Sequence, residues 1–88
     1  MMTGETYFTD ALKAIPEDIK KQVDWSMSVS DAIARTLSER GMSQKDFARL
    51  MGKTETEVSR WLGGRHNFTL STLAKISVAL GTDLVRTV

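Results

Sequence analysis

The chain has 88 residues, 41% of them hydrophobic, and carries 12 Lys and Arg against 11 Asp and Glu, so its formal net charge is +1. This is the length of one small domain, and the lack of cysteine excludes disulfides and thiolate metal sites. The single histidine, His66, is too little for a zinc site, so we expect neither a metal nor a cofactor.

The first predicted elements lie in the N-terminal part of the chain. Residues 7–15, "YFTDALKAI", predict a short helix or an ordered arm. Pro16 then opens "PEDIKKQVDW" as the first helical residue, with acids in the first turn and lysines later, which complements the helix dipole. Ile15, Ile19 and Val23 fall four residues apart and give this helix one apolar stripe.

A separate helix is predicted for "SVSDAIARTLSERG". A serine cap is expected near Ser28 or Ser30, and the helix should end at Gly41. Its apolar face consists of Val29, Ile33 and Leu37.

The next helix is predicted from "MSQKDFARLMG". Ser43 is the expected N-cap, because its hydroxyl can accept from the amides of the first turn. Gly52 should end the helix in a left-handed conformation. The predicted buried side consists of Phe47, Ala48, Leu50 and Met51.

A short helix is predicted over 54–62, in "TETEVSRWL". Thr54 can cap it while the side chain of Glu57 reaches back to the Thr54 amide, as in a capping box. Val58, Trp61 and Leu62 then form the buried edge. Trp61 is therefore predicted to lie in the core rather than to stack on bases.

The last helix is predicted from about Thr69 to Gly81, and only the tail "DLVRTV" alternates as a strand would. The fold class is all-α, a compact bundle of about five helices that contains a helix-turn-helix. We divide the chain into an N-terminal helical extension (1–25), the helix-turn-helix domain (26–82) and a C-terminal tail (83–88).

The two helices around Gly52 have the spacing of a helix-turn-helix, in which the short second helix can enter a major groove. "MSQKDFARLMGKTETEVSRWLGGRHNFTLSTLAKISVALG" resembles the XRE-type, lambda-repressor-like DNA-binding domain, over about residues 28–84. More narrowly, "WLGGRHNFTLSTLAKI" is similar to antitoxins of bacterial toxin–antitoxin pairs. The positions that carry the family resemblance are Gln44, Ala48, Gly52, Val58, Trp61 and Gly64.

The resemblance implies a role for each matching position. Arg60 would be the chief base reader, because a guanidinium pairs bidentately with guanine O6 and N7. Gln44, first in its helix, would bind a DNA phosphate. The implied base-reading residues are Glu55, Thr56, Ser59 and Arg60, and the implied phosphate-binding residues are Ser43, Gln44, Lys53, Arg65 and Asn67.

The sequence leaves several functions open. The first is a sequence-specific regulator, such as a repressor, that binds an inverted-repeat operator in double-stranded DNA as a homodimer. The second is an antitoxin that neutralises a partner toxin and autorepresses its operon. A purely structural bundle is a weaker alternative, and an enzyme is poorly supported, because no catalytic constellation is present. No signal peptide or membrane span is evident, so we expect a cytoplasmic protein.

Charge is unevenly distributed and bears on the choice between these functions. Residues 1–34 carry three lysines against six acids, whereas residues 35–88 carry nine Lys and Arg against five acids. A basic C-terminal part fits a surface that binds a polyanion. The acidic N-terminal part either covers a thin core or docks on a basic toxin, with Tyr7, Phe8 or Trp25 as anchors.

Overall fold

The structure, a computed structural model, describes residues 14–86. Within this range the chain forms four α-helices and no strand. They are α1 (Glu17–Glu39), α2 (Gln44–Met51), α3 (Glu55–Leu62) and α4 (Leu70–Leu80). The predicted all-α class with a helix-turn-helix is confirmed. Most of the helix or arm predicted from residues 7–15 lies outside the described residues.

Helix α1 corrects the expected helix count, because it joins two helices that were predicted separately. It runs 23 residues without a break, and Pro16 is its N-cap rather than its first helical residue. The sequence holds no glycine or proline between Glu17 and Glu39 that would end a helix. The expected cap at Ser28 or Ser30 is therefore wrong, and both serines lie inside α1.

Helix α2 begins and ends as its sequence predicts. The Ser43 hydroxyl accepts a hydrogen bond from the Asp46 amide at 3.0 Å. Gly52 has φ 66° and ψ 33°, and its amide donates to the Arg49 carbonyl while the Lys53 amide donates to that of Ala48. This pair of bonds is a Schellman motif, which closes the helix and turns the chain toward α3.

Thr54 caps helix α3 as predicted, but the side chain of Glu57 bonds to a different group from the one expected. The Thr54 hydroxyl accepts from the Glu57 amide at 3.1 Å, as expected. The carboxylate of Glu57 accepts from the Thr54 hydroxyl at 3.3 Å, and not from the Thr54 amide that a full capping box would use. Both acids of the first turn, Glu55 and Glu57, remain favourably placed at the positive end of the helix dipole.

The core lies where α3 packs against α1 and α2, and α2 packs against α4. Phe47 and Trp61 meet edge to face, with ring centroids 6.0 Å apart. Leu50 was predicted to be buried but is 52% exposed. The buried cluster consists of Ile33, Leu37, Phe47, Ala48, Val58, Trp61, Ile76 and Leu80.

Helix α4 is capped by Thr69, whose hydroxyl accepts from the Thr72 amide at 3.1 Å, and it ends before Gly81 as predicted. The tail returns to the helix at one point, where the Leu84 amide donates to the Ser77 hydroxyl at 3.2 Å. This bond places Leu84 beside the core, against which it is partly buried.

Candidate nucleic-acid interface

Helix α3 has one buried face and one solvent-facing face. Val58 is fully buried and Trp61 is 4% exposed, so this edge holds the helix on the body of the protein. The burial of Trp61 confirms that it belongs to the core. The opposite face presents the four predicted base-reading side chains, all exposed: Glu55, Thr56, Ser59 and Arg60.

A hydrogen bond from α1 fixes the carboxyl end of α3. The hydroxyl of Ser30 donates to the main-chain carbonyl of Trp61 at 2.5 Å, and Ser30 is 2% exposed. Carbonyls in the last turn of a helix have no partner within the helix and need one from elsewhere. Ser30 supplies that partner one residue beyond Arg60, so α1 sets the position from which Arg60 projects.

This role of Ser30 was not predicted from the sequence. A signal for it was present, because Ser30 lies three residues before Ile33 and seven before Leu37, on the same face of the helix. A serine on the apolar face of a buried helix needs a hydrogen-bond partner. Because Ser30 was predicted to be a helix cap, no hydrogen-bond partner on another helix was expected for it.

The amino end of α2 is the first predicted phosphate-binding element. Gln44 is its first helical residue, and the side chains of Ser43 and Gln44 are both exposed. The Ser43 hydroxyl is already the acceptor for the Asp46 amide. A helix amino terminus carries unpaired amides and positive potential, which suit an anion.

Lys53 lies between the two helices of the motif and is engaged with a carboxylate. Its Nζ is 4.0 Å from Oε2 of Glu57, and both side chains are about two-fifths exposed. Exposed ion pairs contribute little, roughly 0–1 kcal/mol, so this pair can open at small cost. Lys53 would have to leave Glu57 to contact a phosphate.

The segment after α3 holds the other two predicted phosphate-binding residues. Arg65 is exposed and follows Gly64, whose φ of 87° turns the chain there. Asn67 is also exposed, but it lines a small groove beside Trp25 of α1. His66 is half-buried, with its ring edge to face against Phe68 at 4.7 Å between centroids.

The helix-turn-helix and the segment after it are moderately basic. Residues 43–67 contain five Lys and Arg against three Asp and Glu. Two of the acids, Glu55 and Glu57, belong to α3 itself. Among the described residues, no group of three or more His, Asp or Glu side chains could hold a metal ion.

A family model described as helix-turn-helix matches residues 32–86, well over half of the chain. The chain belongs to this helix-turn-helix family. The resemblance to XRE-type, lambda-repressor-like domains is thereby confirmed, and the protein has the DNA-binding domain of a transcription regulator. No curated protein and no solved structure matches the chain.

These findings also bear on the predictions that the protein is not an enzyme and that it is cytoplasmic. The family is one of DNA-binding domains rather than of enzymes. No helix among residues 14–86 is long and apolar enough to cross a membrane. The narrower likeness to antitoxins has no match among these comparisons and stays a proposal.

Proposed function

We propose that the protein is a sequence-specific transcription regulator that reads the major groove of double-stranded DNA with the helix over 54–62. The observation that carries the proposal is the two-faced character of α3. Val58 and Trp61 anchor it, while Thr56 and Arg60 project from the other side of the same two turns. A helix held in this way can enter a groove without losing its contact with the core.

Each exposed side chain of α3 has a matching base edge. Arg60 can donate two hydrogen bonds to guanine, and Thr56 can contact a thymine methyl group. Glu55 can accept from a cytosine amine, although its carboxylate also complements the helix dipole. Ser59 lies beside them. Gln44 and Arg65 would bind phosphates on either side, with Ser43, Lys53 and Asn67 as further contacts.

Binding as a homodimer is supported by a second apolar face on α4. Leu73, Ile76 and Leu80 face the core, yet Leu70 and Val78 are 76% and 83% exposed. Ala74 is also exposed and lies four residues from each, so these three form one line along the helix. Ala74 and Val78 border a shallow apolar groove that Leu50 and Met51 of α2 complete. An exposed apolar patch of this kind is typical of protein interfaces.

Substitution on α4 tests the dimer. Val78→Asp should convert a dimer to a monomer in sedimentation velocity, because a paired interface would have to bury the new carboxylate. Ser28→Asp introduces the same charge at an exposed position of α1 and should leave the dimer intact. Equal sedimentation of both variants with the parent would exclude this face as the dimer interface.

Selection of duplexes from a random pool tests the function itself. The enriched sequences should contain an inverted repeat whose half-site centres lie about 34 Å apart or a multiple of that. Such spacing follows when two α3 helices enter one side of the duplex. A pool without enrichment, or with a single unrepeated half-site, would contradict sequence-specific binding by a dimer.

A second candidate is an antitoxin that neutralises a partner toxin and represses its own operon. The exposure of Trp25 supports this candidate. Its side chain is 66% exposed on α1, outside the residues that the family model matches. Exposed tryptophans are frequent anchors of protein interfaces.

Co-purification with the product of the adjacent reading frame tests the antitoxin candidate. Trp25→Ala should lose the partner while it keeps the parent's affinity for the selected duplex, since Trp25 lies on a different helix from the base-reading residues. Unchanged co-purification of Trp25→Ala would exclude this anchor. Failure of the parent to bind that product would exclude the candidate.

A further inference from the structure

The chain between α3 and α4 alternates between an inner and an outer side. We call residues 64–68 the connecting segment; they form neither helix nor strand. The half-buried residues of this segment are Gly64, His66 and Phe68. Arg65 and Asn67, which lie between them, are exposed. The two predicted phosphate-binding residues therefore share the outer side, and their direction depends on what holds the inner side.

Side-chain packing, rather than main-chain hydrogen bonding, holds the connecting segment. Among residues 14–86, no hydrogen bond joins the main chain of this segment to another main-chain group. His66 and Phe68 instead pack edge to face, with ring centroids 4.7 Å apart, and Phe68 also packs against the core cluster. This aromatic pair fixes the carboxyl end of the segment. Gly64, at the amino end, has no side chain with which to anchor itself.

Met27 of α1 makes the contact at the amino end. A Cβ built on Gly64 would lie 3.6 Å from Cγ of Met27, an ordinary van der Waals distance, so the methionine side chain lies over the glycine. Gly64 has φ 87°, which other residues adopt only with strain. The turn before Arg65 therefore requires glycine, and Met27 covers the surface that a larger side chain would have covered.

Neighbouring residues of α1 border the rest of the connecting segment. A small groove separates the two, and α1 lines it with Trp25, Ser26 and Val29. Asn67 and Phe68 line the other side. All of these α1 residues, like Met27, precede residue 32, where the match to the family model begins. One edge of α1 outside the family match thus follows the segment that carries the predicted phosphate-binding residues.

We propose that Met27 is a positioning residue for the phosphate contact of Arg65. The inference rests on the proposed function and gives α1 a part in it that differs from that of Ser30, which fixes α3. The Met27 side chain is half exposed, and a flexible thioether can fill an irregular gap of this kind. Without it, Gly64 would move more freely, and the binding of a phosphate would have to order Arg65. Such ordering on binding costs affinity.

A double-mutant cycle in the full chain tests this role. On the selected duplex, Met27→Ala should bind several-fold more weakly and lower the salt slope by up to about one, because one phosphate contact is weakened. The preference among single-base variants should stay that of the parent, since Arg60 is unchanged. Met27→Ala combined with Arg65→Ala should cost no more than Arg65→Ala alone, because the two changes remove the same contact.

Two matched variants separate positioning from a general loss of packing on α1. Val23→Ala removes a side chain of similar exposure, 45% against 51% for Met27, one turn earlier on the helix. It should keep the parent's affinity and salt slope. Met27→Leu keeps an apolar side chain of about the same volume and should retain most of both.

Three outcomes would overturn the proposal. One is the parent's salt slope in Met27→Ala, and another is a fully additive loss in the double variant. The third is an equal loss in Val23→Ala, which would assign the effect to α1 as a whole. All three differ from failure of the proposed function, in which the parent itself would prefer no duplex.

Backbone NMR order parameters give a second test that needs no DNA. Met27→Ala should lower the order parameters of the Gly64 and Arg65 amides, which report motion on the ps–ns timescale. Met27→Leu should leave them near the parent's values. Unchanged order parameters in Met27→Ala would contradict the proposal even if its affinity for the duplex fell.

Discussion

The hydroxyl of Ser30 and the carbonyl of Trp61 are joined by a buried hydrogen bond of 2.5 Å between residues 31 apart in the chain. It connects the middle of α1 to the last turn of α3. Because Arg60 directly precedes Trp61, the contact fixes the end of the helix that carries the proposed base reader. The stability of the fold and the proposed base reading by Arg60 therefore both depend on this polar contact.

Removal of that hydroxyl should affect both properties. Ser30→Ala leaves the Trp61 carbonyl buried without its partner, which costs about 1–3 kcal/mol. Urea unfolding should show a lower midpoint, and the affinity for the selected duplex should fall because α3 is held less firmly. Ser28→Ala, an equivalent change at an exposed position of α1, should stay within about 0.5 kcal/mol of the parent. Equal midpoints for the two variants would show that the contact contributes nothing.

The cap of α3 gives a second prediction. Thr54→Ala removes the acceptor of the Glu57 amide and should destabilise the protein by about 1 kcal/mol. Thr54→Ser keeps the hydroxyl and should retain most of the stability. Denaturant unfolding of the two variants measures the difference. If serine is as damaging as alanine, the hydroxyl is not the stabilising group.

The turn between α2 and α3 gives a third prediction. A Cβ at Gly52 would meet no atom within 4 Å, so the cost of Gly52→Ala comes from its φ of 66° alone. That cost is about 1–2 kcal/mol, and Gly52→Asn should cost less because asparagine tolerates this conformation. Each kcal/mol should lower Tm by about 4–8 °C in a domain of this size.

Gly63 supplies the control for the Gly52 experiment. It has φ −76°, and an added Cβ would lie 3.4 Å from the Arg60 carbonyl oxygen, an ordinary contact. Gly63→Ala should therefore leave Tm close to the parent's value. Similar losses in Gly52→Ala and Gly63→Ala would mean that the left-handed turn is not responsible.

Local features of this fold could be predicted from the sequence because they depend on neighbouring residues. The predicted caps at Ser43 and Thr54 need only a hydroxyl and an amide three residues on. If Val58 and Trp61 are buried, the periodicity of an α-helix places the other side chains of α3, including Thr56 and Arg60, on the solvent-facing side.

Features that depend on distant contacts could not be predicted in the same way. The sequence around Ser30 is that of a helix cap, and only the packing of α3 against α1 shows that its hydroxyl bonds to the Trp61 carbonyl. The apolar pattern of α2 predicts that Leu50 is buried, but its side chain is exposed and lines the groove between α2 and α4. The continuity of α1 was missed because serines favour caps, although no residue there ends a helix.

Comparison of Arg60→Ala with Arg65→Ala tests base reading by α3 most directly. Fluorescence anisotropy would measure their affinities for the selected duplex and for its single-base variants, at several salt concentrations. Arg60→Ala should lose about 1–3 kcal/mol on the selected duplex and its preference at one base pair. Arg65→Ala should weaken all duplexes nearly equally and lower the salt slope by about one. Arg60→Ala with the parent's affinity and the parent's base preferences would contradict base reading by α3.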